Sequence, residues 1–301
     1  MKKILVTGGL GFIGGHVMEE VAKRGYYPVA FERRMLRDTK MLPSCDYEVF
    51  IGDITDKNAV NTAVSLCDGA INLAGLLGTS EAVDNPFPAA EANILGGLNF
   101  LQACREHKKR GVQIAVGNWF MNNTYSITKT TVERFALMFN KEHGTQVAVV
   151  RGLNAYGPRQ KHKPIRKITP NFITKALRKE PITIFGSGES VMDMIYVKDL
   201  AKILVDALLS PNIDFQKVYS AGPGVPTTVN DIAGVINRQT NNPAGVEHIE
   251  MRQGETDNSV VLGEPDTLKD IYPEGFVFTG LNDGMIETIK WFIEYYDWKQ
   301  D

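Results

Sequence analysis

The stretch Lys3-Ile4-Leu5-Val6-Thr7-Gly8-Gly9-Leu10-Gly11-Phe12-Ile13-Gly14 decides the fold of this 301-residue chain. An apolar run of strand length leads straight into spaced glycines and then an amphipathic stretch, the order that opens a dinucleotide-binding βαβ unit. Gly8 permits the tight turn, Gly11 lets backbone N–H groups approach a pyrophosphate, and Gly14 lets the helix close on the strand. Phe12 and Ile13 open a helix whose positive N-terminus faces the phosphates.

Counting 18 residues past Gly14 reaches Glu32 at the end of the second apolar run. A carboxylate there accepts hydrogen bonds from the adenosine ribose hydroxyls, which favours NAD. Arg33 and Arg34 follow at once, and a guanidinium is the usual partner of a 2′-phosphate, so NADP stays open. After the third strand, Asp53-Ile54 puts an acid where it meets the adenine amino group. After the fourth, Leu73-Ala74-Gly75 is small enough for backbone to lie against the cofactor.

Up to about residue 155, short apolar runs alternate with amphipathic stretches. The pattern predicts strands at 3–7, 28–31, 47–51, 69–73, 112–116 and 146–151, with helices at 12–24, 56–66, 88–107 and 125–143 between them. That is an α/β fold, a Rossmann-type doubly wound parallel sheet of six strands. After Gly157-Pro158 the alternation stops. We read residues 1–157 as the dinucleotide-binding domain, with 194–222 returning to it through a helix at 197–209 and a strand at 217–221. Residues 158–193 and 223–301 form a smaller C-terminal α/β substrate lobe capping the carboxyl edge of the sheet, where ligands of open α/β sheets bind.

Composition narrows the function. With 43% hydrophobic residues and 33 Lys plus Arg against 35 Asp plus Glu, the chain has a full core and a net charge of −2, which points away from nucleic acid. Glycines break the N-terminal apolar run, and no stretch of 18 apolar residues follows, so neither export nor a membrane span is expected. The cysteines Cys45, Cys67 and Cys104 lack C-x-x-C spacing, as in a reduced, cytoplasmic protein. The histidines lack spaced ligand partners, and no metal site is expected.

The chemistry falls at Tyr125-Ser126-Ile127-Thr128-Lys129, a phenol and an ammonium four apart at the start of a helix and so on one face. It opens the helix after the fifth strand, where a nicotinamide lies in such folds. Lys129 and the oxidised nicotinamide are expected to lower the phenol's pKa, making Tyr125 a base for an alcohol proton, with Lys129 also holding the nicotinamide ribose.

These residues resemble the extended short-chain dehydrogenase/reductases, in particular the NAD-dependent epimerase/dehydratase group that acts on sugar nucleotides. The matching parts are residues 7–14, Gly52-Asp53-Ile54, Asn93-Ile94-Leu95-Gly96, 125–129, 151–158 and 193–199. The resemblance implies a sugar-nucleotide epimerase of the UDP-glucose 4-epimerase kind, whose bound cofactor takes hydride from a sugar carbon and returns it. A dehydratase or decarboxylase, an NADP-dependent reductase, and a non-enzymatic dinucleotide sensor are the alternatives. Intact Tyr125 and Lys129 argue against the sensor, and the absence of an Asp-Glu pair before Tyr125 ranks epimerisation above dehydration. The resemblance also implies that Asn93 belongs to the cofactor site, that Asn154, Asn171 and Phe172 contact sugar or base, and that a homodimer forms through helices 88–107 and 125–143.

Two departures matter. The family's Ser or Thr after the fifth strand is absent from Ala115-Val116-Gly117-Asn118-Trp119-Phe120, which makes Asn118 the candidate for holding the substrate hydroxyl, with Thr79, Ser80 and Thr124 behind it. Met192 stands where the family's diphosphate-gripping Arg is expected. Arg159, leading the basic run to Lys167, and Arg252 are the replacement cations for an anionic substrate; a solvated loop and a surface ion pair are the competing readings.

Overall fold

The computed structural model describes residues 1–36, 38–78, 82–163, 167–251 and 258–298. In chain order the first half runs β1 (Lys3–Thr7), α1 (Phe12–Lys23), β2 (Tyr27–Glu32), β3 (Glu48–Ile51), α2 (Lys57–Ser65), β4 (Gly69–Asn72), α3 (Phe87–Ala89), a π-helical turn (Ala90–Leu95), α4 (Gly96–Glu106), β5 (Arg110–Val116), α5 (Thr124–His143) and β6 (Val147–Gly152). The second half runs β7 (Asn154–Tyr156), α6 (Ile168–Leu177), β8 (Ile182–Phe185), β9 (Val191–Tyr196), α7 (Val197–Leu209), β10 (Val218–Ala221), β11 (Pro226–Thr228), α8 (Val229–Gln239), β12 (Val246–Ile249), β13 (Val260–Val261) and α9 (Leu281–Tyr295).

The large sheet has seven strands rather than the six expected from the first half, in the order β10-β6-β5-β4-β1-β2-β3 and parallel throughout. The seventh strand, β10, is supplied by the later chain and pairs with β6. Alternate side chains feed two cores. Ile4 and Val6 of β1 point to the face covered by α1 and α7, with Val17, Met18, Leu200 and Leu204. Leu5 points to the face covered by α2, α4 and α5, with Val64, Phe100 and Val132. This period-two split is what a parallel sheet buried on both faces requires.

Strand order reverses between β1 and β4, placing the topological switch point at their carboxyl ends. A buried polar ladder fixes the register there. The Thr7 hydroxyl donates to Asn72 Oδ1 at 2.5 Å, and Asn72 Nδ2 donates to Gln113 Oε1 at 2.8 Å. The later chain builds small sheets around β9, which pairs with β7, β11 and β13, and a two-stranded β8–β12 ribbon. Tyr156, Phe172, Ile184, Ile232 and Phe292 form the core beneath them.

The expected helix 88–107 differs in one respect. It is interrupted by the π-turn Ala90–Leu95, which carries Asn93. Such turns bulge a helix to re-aim a side chain and are frequent at functional sites.

Candidate active site and dinucleotide loop

The glycine-rich turn is built as its sequence dictates. Gly8 has φ +68°, a conformation L side chains rarely adopt. A Cβ on Gly14 would lie 2.0 Å from the Gly8 carbonyl oxygen, so only glycine lets α1 approach the turn. α1 starts at an extended Gly11 with no side-chain cap, which leaves its first N–H groups and its positive end facing outward. The Thr7 hydroxyl accepts from the Leu73 and Ala74 N–H groups at 3.1 and 3.0 Å and so pins the loop after β4 beside it.

Glu32 reaches back to the turn, its Oε1 accepting from the Leu10 N–H at 2.7 Å, and burial pushes its pKa up. Arg33 next to it is exposed. Asp53 accepts from the Thr55 N–H and hydroxyl at 2.9 and 2.8 Å, and the N–H bond first of all holds its carboxyl below the usual range. Ile54 is buried, and its carbonyl accepts from Asn99 of α4. The arrangement is a cradle of backbone donors with a carboxylate at the second strand's end, and it fits a dinucleotide.

Asn93 sits against the loop after β4, its Oδ1 2.7 Å from where a Cβ on Gly75 would lie. Its Oδ1 accepts from the Leu76 N–H at 2.7 Å, and its Nδ2 donates to the Leu76 carbonyl at 3.1 Å and the Thr128 hydroxyl at 2.9 Å. The buried amide therefore staples the β4 loop to α5.

Asn123 caps α5 by accepting from the Ser126 N–H at 2.9 Å, which sets Tyr125 in the first turn and Lys129 one turn on. Neither the phenol oxygen nor the ammonium has a hydrogen-bond partner among the described residues. Burial pushes the Tyr125 phenol up to about 12 and the Lys129 ammonium down to about 8. The lowering of the phenol expected from Lys129 and the oxidised nicotinamide together is not seen in the protein alone, where burial is what shifts it.

A cleft of about 1360 Å³ opens in front of Tyr125. Phe12 and Ile13 line it from the dinucleotide side, with Asn118 and Tyr125 in its wall, and Asn154, Asn171 and Phe172 from the other side. Asn118 sits in a turn closed by the Met121 N–H on its carbonyl at 3.0 Å; among the described residues its side-chain Nδ2 donates to Met121 Sδ alone, at 3.6 Å. Thr124 is committed to the Ala82 carbonyl at 3.0 Å. Asn154 Nδ2 donates to the Asp193 carbonyl at 3.4 Å and Asn171 Nδ2 to the Lys167 carbonyl at 2.7 Å, which leaves each amide oxygen for the cleft. Thr79, Ser80 and Arg252 lie outside the described residues.

Arg159 does not serve the cleft, which corrects the expectation. It is 7% exposed with φ +69°, and its guanidinium turns onto α1. There it donates to both Glu19 oxygens at 3.0 and 2.7 Å, to His16 Nδ1 at 2.7 Å and to the Leu42 carbonyl. Because an Arg donates only, His16 Nδ1 carries no proton; Nε2 carries it toward the Pro158 carbonyl. The cations that line the cleft are instead Lys163, Lys167 and Lys175, the last of them paired with Glu247 at 3.2 Å, and among the described lining residues there is no carboxylate. Sequence reasoning also missed Gln160, a buried lining residue whose Oε1 has no hydrogen-bond partner among the described residues. It lay inside the run singled out for its charges, and nothing in composition separates it from its neighbours.

The profile of the NAD dependent epimerase/dehydratase family matches residues 4–222, and the chain belongs to that family of enzymes. Among its relatives, a UDP-N-acetyl-alpha-D-glucosaminuronate decarboxylase of Bacillus cytotoxicus is 25% identical over 97% of this chain and 98% of that protein. A putative UDP-glucose 4-epimerase of Methanocaldococcus jannaschii is 27% identical over 84% and 87%. Among solved structures, UDP-glucose 4-epimerase of Thermotoga maritima with UDP-glucose superposes with a TM-score of 0.89 at 25% identity, covering 98% of this chain and 99% of that one. No helix among the described residues is long and apolar enough to cross a membrane.

Proposed function

We propose that the protein is an NAD-dependent epimerase of a nucleotide-activated sugar, acting at a ring carbon that bears a free hydroxyl. The observation that carries this reading is the position of Tyr125, in the wall of one cleft lined by the start of α1 on one side and by the later chain on the other. NAD bound there would supply reversible hydride acceptance, and its positive charge would offset the burial that pushes the phenol up. Tyr125 Oη takes the hydroxyl proton and returns it, Lys129 holds the ribose and favours the phenolate, and Asn118 orients the hydroxyl. Arg33 and Arg34 leave NADP as the second choice of cofactor.

Lys163 and Lys167 suit the diphosphate of such a substrate, and Met192 and Phe172 line the same cleft for its apolar parts. Epimerisation is favoured over dehydration because removing water needs a further acid and base, and the described lining supplies no carboxylate. The free cysteines suit a reducing cytoplasm.

The test is to denature the purified protein, quantify released NAD, and mix the native enzyme with UDP-glucose and UDP-galactose while following 340 nm absorbance and product ratio. Stoichiometric NAD with transient reduction and interconversion is expected. Net turnover with freely exchanging NADP would replace epimerisation by reduction. Tyr125→Phe is expected to keep its NAD and lose ~100-fold or more in kcat, the scale of a positioned acid/base group.

A further inference from the structure

The turn that carries Asn118 follows β5 without secondary structure of its own; Met121 at its end packs against the sheet core, and its polar anchorage falls to a single residue. Asn118, Phe120 and Met121 line the cleft, but Trp119 between them does not. Its ring lies on the Arg151 guanidinium, with Arg151 Cζ 4.7 Å from the ring centroid. Arg151, near the end of β6, is itself fixed by a two-point pair to Glu133, Nε to Oε2 at 2.8 Å and Nη2 to Oε1 at 2.5 Å. Glu133 is only 4% exposed.

Glu133 belongs to α5, eight residues beyond Tyr125 and four beyond Lys129, so the three share one helix face. The Trp119 carbonyl also accepts from the Thr130 hydroxyl of α5 at 3.3 Å. The other hydrogen bonds of the turn are internal, between Asn118 and Met121. Among the described residues, the polar and cation contacts between this turn and the rest of the protein therefore pass through Trp119, and both lead to α5.

We infer that Trp119 is a positioning residue: stacked on Arg151 and tied through Glu133 and Thr130 to α5, it sets the Asn118 amide at a fixed distance from the Tyr125 phenol. A planar guanidinium suits the task because it stacks on an indole while its edge pairs with a carboxylate. The inference rests on the proposed role of Asn118 toward the substrate hydroxyl.

Two measurements test it. In the NAD-loaded enzyme with UDP-glucose as probe, Trp119→Ala is expected to lower kcat by about 10- to 100-fold, the cost of a misplaced catalytic group, with KM and NAD content near wild type. Trp119→Phe keeps a flat ring and recovers most of the loss. Arg151→Lys keeps the charge but not the plane and reproduces it. In the Asn118→Ala background, Trp119→Ala costs nothing further. Losses that multiply in the double variant, or a wild-type kcat in Trp119→Ala, overturn the inference alone. A wild-type kcat in Asn118→Ala overturns the role of Asn118 and the inference with it. The second measurement needs no substrate. A crystal structure of Trp119→Ala is expected to show residues 117–121 displaced against an unmoved α5, and an unmoved turn overturns the inference.

Discussion

Lys129 is 4% exposed and carries an ammonium whose pKa burial lowers from its ordinary 10.5 to about 8. The folded protein therefore releases a proton between about pH 8 and 10.5 that the unfolded chain still holds. The stability cost of this residue is full below pH 8 and fades as pH rises through that window. Lys129→Met replaces a buried cation by an apolar side chain of similar length, so the NAD-stripped variant is expected to melt higher than wild type at pH 7. The difference should shrink toward pH 10.5 while turnover is lost. Calorimetry across pH checks it, and a variant that melts lower at pH 7 would show that the ammonium is stabilised by its surroundings. The spacing of Tyr125 and Lys129 was legible in the sequence because four residues along a helix is one turn. The sense of their pKa shifts was not, because burial is a property of the assembled layers. Arg159 shows the same limit: its charge was legible, but its direction depends on Glu19, 140 residues away.

Among the elements, the glycine turn separates fold from binding. At Gly14 a Cβ would meet the Gly8 carbonyl oxygen at 2.0 Å, so Gly14→Ala is expected to displace α1 and lower both melting temperature and NAD content. At Gly11 a new Cβ would lie 3.0 Å from the Gly8 carbonyl oxygen, a tight contact but far looser than at Gly14, and the residue is exposed, so Gly11→Val is expected to melt only modestly below wild type yet carry no NAD. Equilibrium dialysis and thermal melts on the two variants distinguish the cases, and a Gly11→Val protein with full NAD would move the pyrophosphate elsewhere. Strands and helices around this turn were readable from period and punctuation, generally to within a residue or two. The π-turn was not, since Ala90–Leu95 has ordinary helical composition and its bulge is set by what Asn93 must reach. Removing those bonds in Asn93→Ala leaves the Leu76 N–H and carbonyl without their side-chain partner, while the Thr128 hydroxyl keeps the Thr124 carbonyl, and is expected to cost about 1–3 kcal/mol of stability by denaturant titration.

For the molecule as a whole, the helix face over one side of the large sheet carries exposed apolar side chains alongside the exposed Arg134. α4 and α5 lie side by side over the large sheet, and Ile127 and Met138, eleven residues apart and so on one stripe of α5, are 52% and 38% exposed. Leu95, at the junction of the π-turn and α4, is 53% exposed. A two-fold axis through this face would bring the pair of helices onto the same pair of a second copy as a four-helix bundle, which buries all three side chains at once. We therefore expect a homodimer, with a mass in light scattering of twice 33.4 kDa at micromolar concentration. Ile127→Lys puts two charges near the axis of that interface and is expected to shift the protein to the monomer. Tyr125, two residues earlier, faces the cleft rather than this stripe, so the monomer should keep its NAD and separate assembly from cofactor binding. A wild-type protein that scatters as 33.4 kDa alone, or an Ile127→Lys variant that remains at twice that mass, would place the apolar stripe outside any interface.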